Sequence, residues 1–205
     1  MNYSIYAEST PNPGVMKFVA NRMLVDKSIE ITQAEQAKDI SVAKALFNFP
    51  FVKSLYLSSN FISIAKTDNV EWDTIAMQLR NFITDFLNEE GLKNYTENIT
   101  EEEIIKSEIK SEKSTEKSTE KSTEKIEFTD KEKAIIDLLN EYIKPAVEAD
   151  GGAITFNSYV GDVVTVNLKG ACSGCPSATS TLKGGIESLL NQKVDPNIVV
   201  RANEG

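Results

Sequence analysis

The sequence predicts an α+β chain: two small α/β-sandwich-like domains joined by a low-complexity charged linker, the second domain running α-β-β-α-β. Three observations carry this reading. Short apolar or alternating runs at 16–20, 52–57, 61–66 and 163–168 have the length and composition of strands. Two stripes recur at helical spacing, one from Trp72 through Ile75, Leu79, Phe82, Ile83 and Phe86, the other from Ile135 through Leu139 to Val147. Between them, residues 101–125 keep only Ile104, Ile105 and Ile109 as apolar side chains and repeat Lys-Ser-Thr-Glu three times at 113–124. With 205 residues and 40% hydrophobic content, the chain has material for two cores. The expected boundaries are 1–96 for the first domain, 97–127 for the linker and 128–205 for the second domain.

The elements follow in order. Residues 4–7 and 16–20 are strands around Thr10, Pro11, Asn12, Pro13 and Gly14, whose two prolines and glycine make a turn. Ser41 is the candidate N-cap of a helix over 42–47 that Pro50 ends. A hairpin then crosses Ser58, Ser59 and Asn60, with Val52, Ile62 and Ile64 on its buried face, and the Trp72 stripe packs a long helix on the sheet. In the linker, like charges recur at i, i+4 and Ser-Thr pairs have weak helix propensity, so helicity is partial. A coil of this length spans roughly 30 Å and lets the flanking domains move independently.

The second domain opens on a helix capped by Thr129 or Asp130, with Pro145 near its end. Asp150, Gly151 and Gly152 break it; strands at 153–159 and 163–168 turn at Gly161-Asp162. A helix over 177–190 and a strand over 198–201 complete the order.

The chemistry concentrates in one loop. Cys172 and Cys175 are the only cysteines, in Gly170-Ala-Cys-Ser-Gly-Cys-Pro-Ser177, and the chain has no histidine. Histidine-dependent triads, Cys-His nucleophiles and mixed Cys/His zinc fingers are thereby excluded. Two thiolates two residues apart can face one metal, but a closed zinc or iron–sulfur site takes four ligands. The chain supplies half a site; the rest comes from a second copy, another protein, a small thiol or carboxylates. A disulfide closing so short a loop removes little unfolded-state entropy, and a buried inert pair conflicts with the small polar flanks, which read as an exposed loop. A position between a strand end and a helix N-terminus favours thiolate over thiol.

The net charge of −9 disfavours nucleic acid and anionic membrane and favours protein partners. The first residues lack a signal or presequence pattern, which places the chain in the cytoplasm. No catalytic constellation is evident, so a non-enzymatic role is expected.

Asp150-Gly-Gly152, the hairpin, the cysteine loop and Thr181-Leu-Lys-Gly-Gly-Ile186 together resemble the C-terminal domain of NifU-like, or Nfu-type, iron–sulfur scaffold proteins. Residues 10–18, 41–47 and 61–72 resemble the N-terminal domain found in Nfu proteins. The resemblance implies that Cys172 and Cys175 of two copies jointly hold a 4Fe-4S cluster, with 2Fe-2S as the alternative form. It also implies a homodimer when loaded, apo iron–sulfur proteins as recipients and upstream cluster-assembly proteins as partners. Three competing readings use the same chain: a thiol–disulfide oxidoreductase working through the Cys-x-x-Cys pair, a dimer held by structural zinc, and an interaction adaptor indifferent to both cysteines.

Overall fold

The computed structural model describes residues 2–37, 40–90, 128–173 and 176–204, without the side chains of 176–178 and 204. The expected linker at 97–127 lies outside the described residues.

The N-terminal domain is an antiparallel sheet of β1 (Ile5–Ser9), β2 (Val15–Ala20), β3 (Ile29–Ile31), β4 (Val52–Ser58) and β5 (Phe61–Lys66), in the spatial order β1-β2-β5-β4-β3. The β1–β2 connection is held by its own polar side chains. Thr10 Oγ1 donates to the Asn12 and Val15 carbonyls at 2.9 and 3.0 Å, and Gly14 N donates to Asn12 Oδ1 at 3.0 Å. Two helices, α1 (Ser41–Leu46) and α2 (Trp72–Glu89), belong to this domain.

Strand alternation sends Phe18, Leu55, Leu57, Ile62 and Ile64 into one core with Ile75, Leu79, Ile83 and Leu87 of α2. The Trp72 stripe thus packs as expected, and Val52, Ile62 and Ile64 are buried. Ser41 does not cap. It is the first helical residue of α1, behind Ile40, and its Oγ is buried without a hydrogen-bond partner. The three-residue edge strand β3 carries too little pattern to be read from sequence.

The C-terminal domain begins with a helix in three parts, α3 (Asp130–Leu138), a π-helical stretch (Leu139–Ile143) and α4 (Lys144–Ala149). Thr129 caps it, in a capping box with Glu132. The π stretch precedes Pro145, and Lys144 N reaches back to the Leu139 carbonyl; a widened turn accommodates a residue with no N–H to give. Strands β6 (Gly152–Val160) and β7 (Val163–Gly170) form a hairpin. Helix α5 (Pro176–Lys193) then crosses over to β8 (Val199–Glu204), which pairs parallel to β7. The α-β-β-α-β order is the one expected. Ile135, Leu139, Val147, Ile154, Val166, Leu168, Ile186 and Leu190 make the second core.

The two domains touch. The face of the N-terminal sheet opposite its helices carries Lys17, Val19, Tyr56, Phe61 and Ser63, all buried. Val19, Tyr56 and Phe61 form a small apolar cluster with Ala153 of β6 packed against it. Independent movement of the domains is the expectation from the linker; here they are joined by hydrogen bonds as well as by this cluster.

Candidate metal centre

Gly170 ends β7 with φ +65°, and the chain doubles back at once: Ser173 N and Ser173 Oγ both reach the Gly170 carbonyl, each at 3.1 Å. This tight turn presents Cys172. A second turn holds it from below. Gly151, at φ +81°, accepts from Ala171 N at 3.2 Å through its carbonyl. At Gly152 there is no room for a side chain, since a Cβ would lie 2.7 Å from Cys172 Sγ and 2.8 Å from the Lys169 carbonyl. The Asp150-Gly-Gly152 stretch, read in sequence as a helix breaker, is therefore also the seat of the cysteine.

Cys172 is 7% exposed and belongs to the C-terminal core cluster. The exposed loop expected from the polar flanks is not what its side chain occupies, because the turn folds it back beneath Gly152. Burial, and secondarily the Asp150 carboxylate, push its thiol up from about 9.0 to about 11. The thiolate preference expected from the helix N-terminus is not met in the metal-free chain, where burial favours the protonated thiol. At neutral pH the thiol keeps its proton, and a metal must displace that proton to bind. Cys175, with Gly174, lies outside the described residues.

Beside Cys172 is a cavity of about 330 Å³ lined by Ala146, Val147, Asp150, Thr181 and Leu182 of the C-terminal domain and by Pro11 of the N-terminal domain. Among the described residues no three Cys, Asp or Glu side chains converge as a metal site. The surroundings suit a thiolate-held group: one sulfur and a mostly apolar wall.

Three residues at the loop were not singled out from sequence for this role. Asn12 Nδ2 donates to the carbonyls of Ala171 and Ser173 at 3.2 and 3.3 Å, flanking Cys172. Glu30 Oε1 accepts from Gly170 N at 3.1 Å. The ring of Tyr56 stands where a Cβ on Gly170 would be 2.8 Å away. Only a long-range contact places them here, and no local pattern announces it.

Comparison with known proteins covers both domains. Residues 5–90 match the family model described as "Scaffold protein Nfu/NifU N terminal", and residues 135–201 match "NifU-like domain". "NFU1 iron-sulfur cluster scaffold homolog, mitochondrial" of Drosophila grimshawi is 32% identical over 189 residues, covering 91% of this chain and 57% of that protein. "NifU-like protein 4, mitochondrial" of Arabidopsis thaliana is 28% identical over 191 residues, covering 91% and 61%. A solution structure of a NifU-like protein from Saccharomyces cerevisiae aligns with a TM-score of 0.42 at 26% identity, over 47% of this chain and 87% of that one. The chain thus spans about 57–61% of the length of these curated relatives.

The cytoplasmic location expected from the first residues is contradicted: these relatives are named mitochondrial. The lack of a presequence pattern in the opening residues is a poor guide. An N-terminal domain of the Nfu/NifU type followed by a NifU-like domain, with relatives aligned over 91% of this chain, places this chain in the Nfu-type family of NifU-like proteins.

Proposed function

We propose that this protein is an iron–sulfur cluster scaffold or carrier. Its cargo is a 4Fe-4S cluster held by Cys172 and Cys175 of two chains, and it hands that cluster to apo-proteins. The observation that carries this is the seating of Cys172: it lies within the matched NifU-like segment, on a glycine-built turn beside a cavity, in a chain whose two cysteines and absent histidine make half of a four-ligand site. Relatives named as iron–sulfur cluster scaffolds support the same reading.

Transfer is ligand exchange without net redox change. An incoming acceptor thiol gives up its proton and bonds to iron; the displaced Cys172 sulfur takes a proton back. In the metal-free chain, buried Cys172 holds its proton firmly. That argues against Cys172 as the attacking thiol of a thiol–disulfide oxidoreductase, which is activated by a lowered pKa.

Anaerobic reconstitution with iron and sulfide tests the proposal. About two irons and two sulfides per chain, lost in the Cys172→Ala, Cys175→Ala variant, are expected for one four-iron cluster per pair of chains. Stoichiometric zinc, or retention of iron without the cysteines, would overturn it.

A further inference from the structure

Four side chains of the N-terminal domain reach main-chain atoms of the C-terminal domain, and all four converge on the backbone that seats Cys172. Asn12 bonds the carbonyls on either side of it, and Glu30 takes the N–H of Gly170. Ser63 Oγ donates to the Gly151 carbonyl at 2.6 Å. Lys17 Nζ donates to the carbonyls of Glu148 and Ala149 at 3.3 and 2.8 Å, at the C-terminal end of α4, where a cation is favoured. Asn12, Lys17 and Ser63 are 8%, 8% and 2% exposed. A buried ammonium or amide is costly without a partner, and here each has one on the other domain.

These side chains sit beside the apolar cluster of Val19, Tyr56 and Phe61, so the face combines hydrophobic area with donors and an acceptor aimed at fixed backbone positions. It recognises a shape of main chain. Because its targets are carbonyls and an N–H, the match depends on the two glycine turns being in place.

We propose that the outward face of the N-terminal sheet is a docking surface for the cysteine loop of this chain's own C-terminal domain. Docking there competes with cluster-bridged pairing of two chains. The second half of this rests on the reading of Cys172 as a cluster ligand. In the docked arrangement Pro11 walls the cavity beside Cys172 and Asn12 lies across the loop, so this face is closed to a second chain; the sulfur itself is buried by its own domain, beneath Gly152. Iron shared with another chain's thiolates needs that face of the loop, and the cavity beside it, open to the second chain. The N-terminal domain is thus a removable cover that closes when the cargo has left.

Two substitutions break the contact while sparing the sheet. Asn12→Asp keeps the acceptor for Gly14 N but sets a carboxylate oxygen against two carbonyls. Lys17→Met keeps a long stem near Phe61 and removes the ammonium, losing within the sheet only its 3.6 Å pairing with half-exposed Glu8 and its contact with the Phe61 ring. In the metal-free full chain, the double variant should raise alkylation of Cys172, distinguished from Cys175 by peptide fragmentation, by about tenfold. Hydrogen exchange at the Gly170 amide should rise with it. Unchanged rates at both positions would overturn docking; if the double variant fails to fold, Asn12→Asp alone decides by the same two readouts.

Competition is read from amine labelling of Lys17 in wild type. Labelling is slow without metal and is expected to accelerate about tenfold after loading with iron and sulfide. Equally slow labelling in a loaded dimer would overturn it. Failure to load any cluster would overturn the scaffold reading, and competition with it, while the metal-free alkylation result still stands for docking.

Discussion

The two domains put their polarity in opposite places. Among the described residues, the polar or charged side chains that are buried as a whole, the thiol apart, belong to the N-terminal domain: Asn12, Lys17, Ser58 and Ser63. Ser58 pairs within its own domain, with Ser28 at 2.7 Å, and the other three hydrogen-bond to C-terminal backbone. To their contact the C-terminal domain contributes main chain. A side-chain surface thus faces a backbone surface, so the glycines that shape the loop serve both its own turn and its recognition.

Core truncation tests whether the domains are energetically separate. Leu79→Ala removes a fully buried side chain from the N-terminal core and should cost about 2–5 kcal/mol. Trp72, the only tryptophan, reports unfolding of that domain by fluorescence. Leu190→Ala, equally buried in the other core, should move the Trp72 transition by much less, and only through docking. Equal shifts would mean that the chain unfolds as one unit.

Two glycines at positive φ sharpen the contrast between a turn that is recognised and one that is not. Gly161 (φ +60°) has open space where a Cβ would stand, so Gly161→Ala costs only the backbone strain of about 1–2 kcal/mol. Gly170 (φ +65°) would drive the same atom to 2.8 Å from both the Gly151 carbonyl and the Tyr56 ring. Gly170→Ala should therefore cost more in thermal unfolding by roughly 1–3 kcal/mol and accelerate Cys172 alkylation; equal costs would remove the case for a tight loop.

Cys172 gives a pH signature. In the fold its thiol titrates near 11 rather than 9.0, so between those values the native chain holds a proton that the unfolded chain releases. Stability from this group is complete below about pH 9 and is lost as pH rises through 11. The stability difference between wild type and Cys172→Ser should narrow over that window; a constant difference would contradict the buried thiol. The smallest effect belongs to Thr129→Ala, which removes the capping box at the far end of the C-terminal domain. It should lower that domain's stability by about 1 kcal/mol and leave Cys172 reactivity unchanged.

Much of this is legible in sequence because the signals are local. The Trp72 stripe, the Gly161 turn, the Thr129 cap and the α-β-β-α-β order each follow from residues a few positions apart. Cys172 stands out from composition alone, as one of two cysteines in a chain with no histidine. What escapes is set by distance along the chain. Asn12 lies 159 residues from Ala171 and Glu30 lies 140 from Gly170, and no periodicity encodes such pairs. The protonation of Cys172 is misjudged for the same reason: the helix N-terminus is visible in sequence, while the burial that raises the thiol comes from packing under Gly152. Ser41 has the identity of a cap without its position, because α1 starts one residue earlier than that role requires.

The most direct test of a cluster shared between two chains is native mass spectrometry of the reconstituted protein under anaerobic conditions. The expected species has the mass of two chains plus one 4Fe-4S cluster and is absent when Cys172 and Cys175 are replaced by alanine. A single chain carrying its own cluster, or a pair of chains holding zinc in its place, would contradict the shared site.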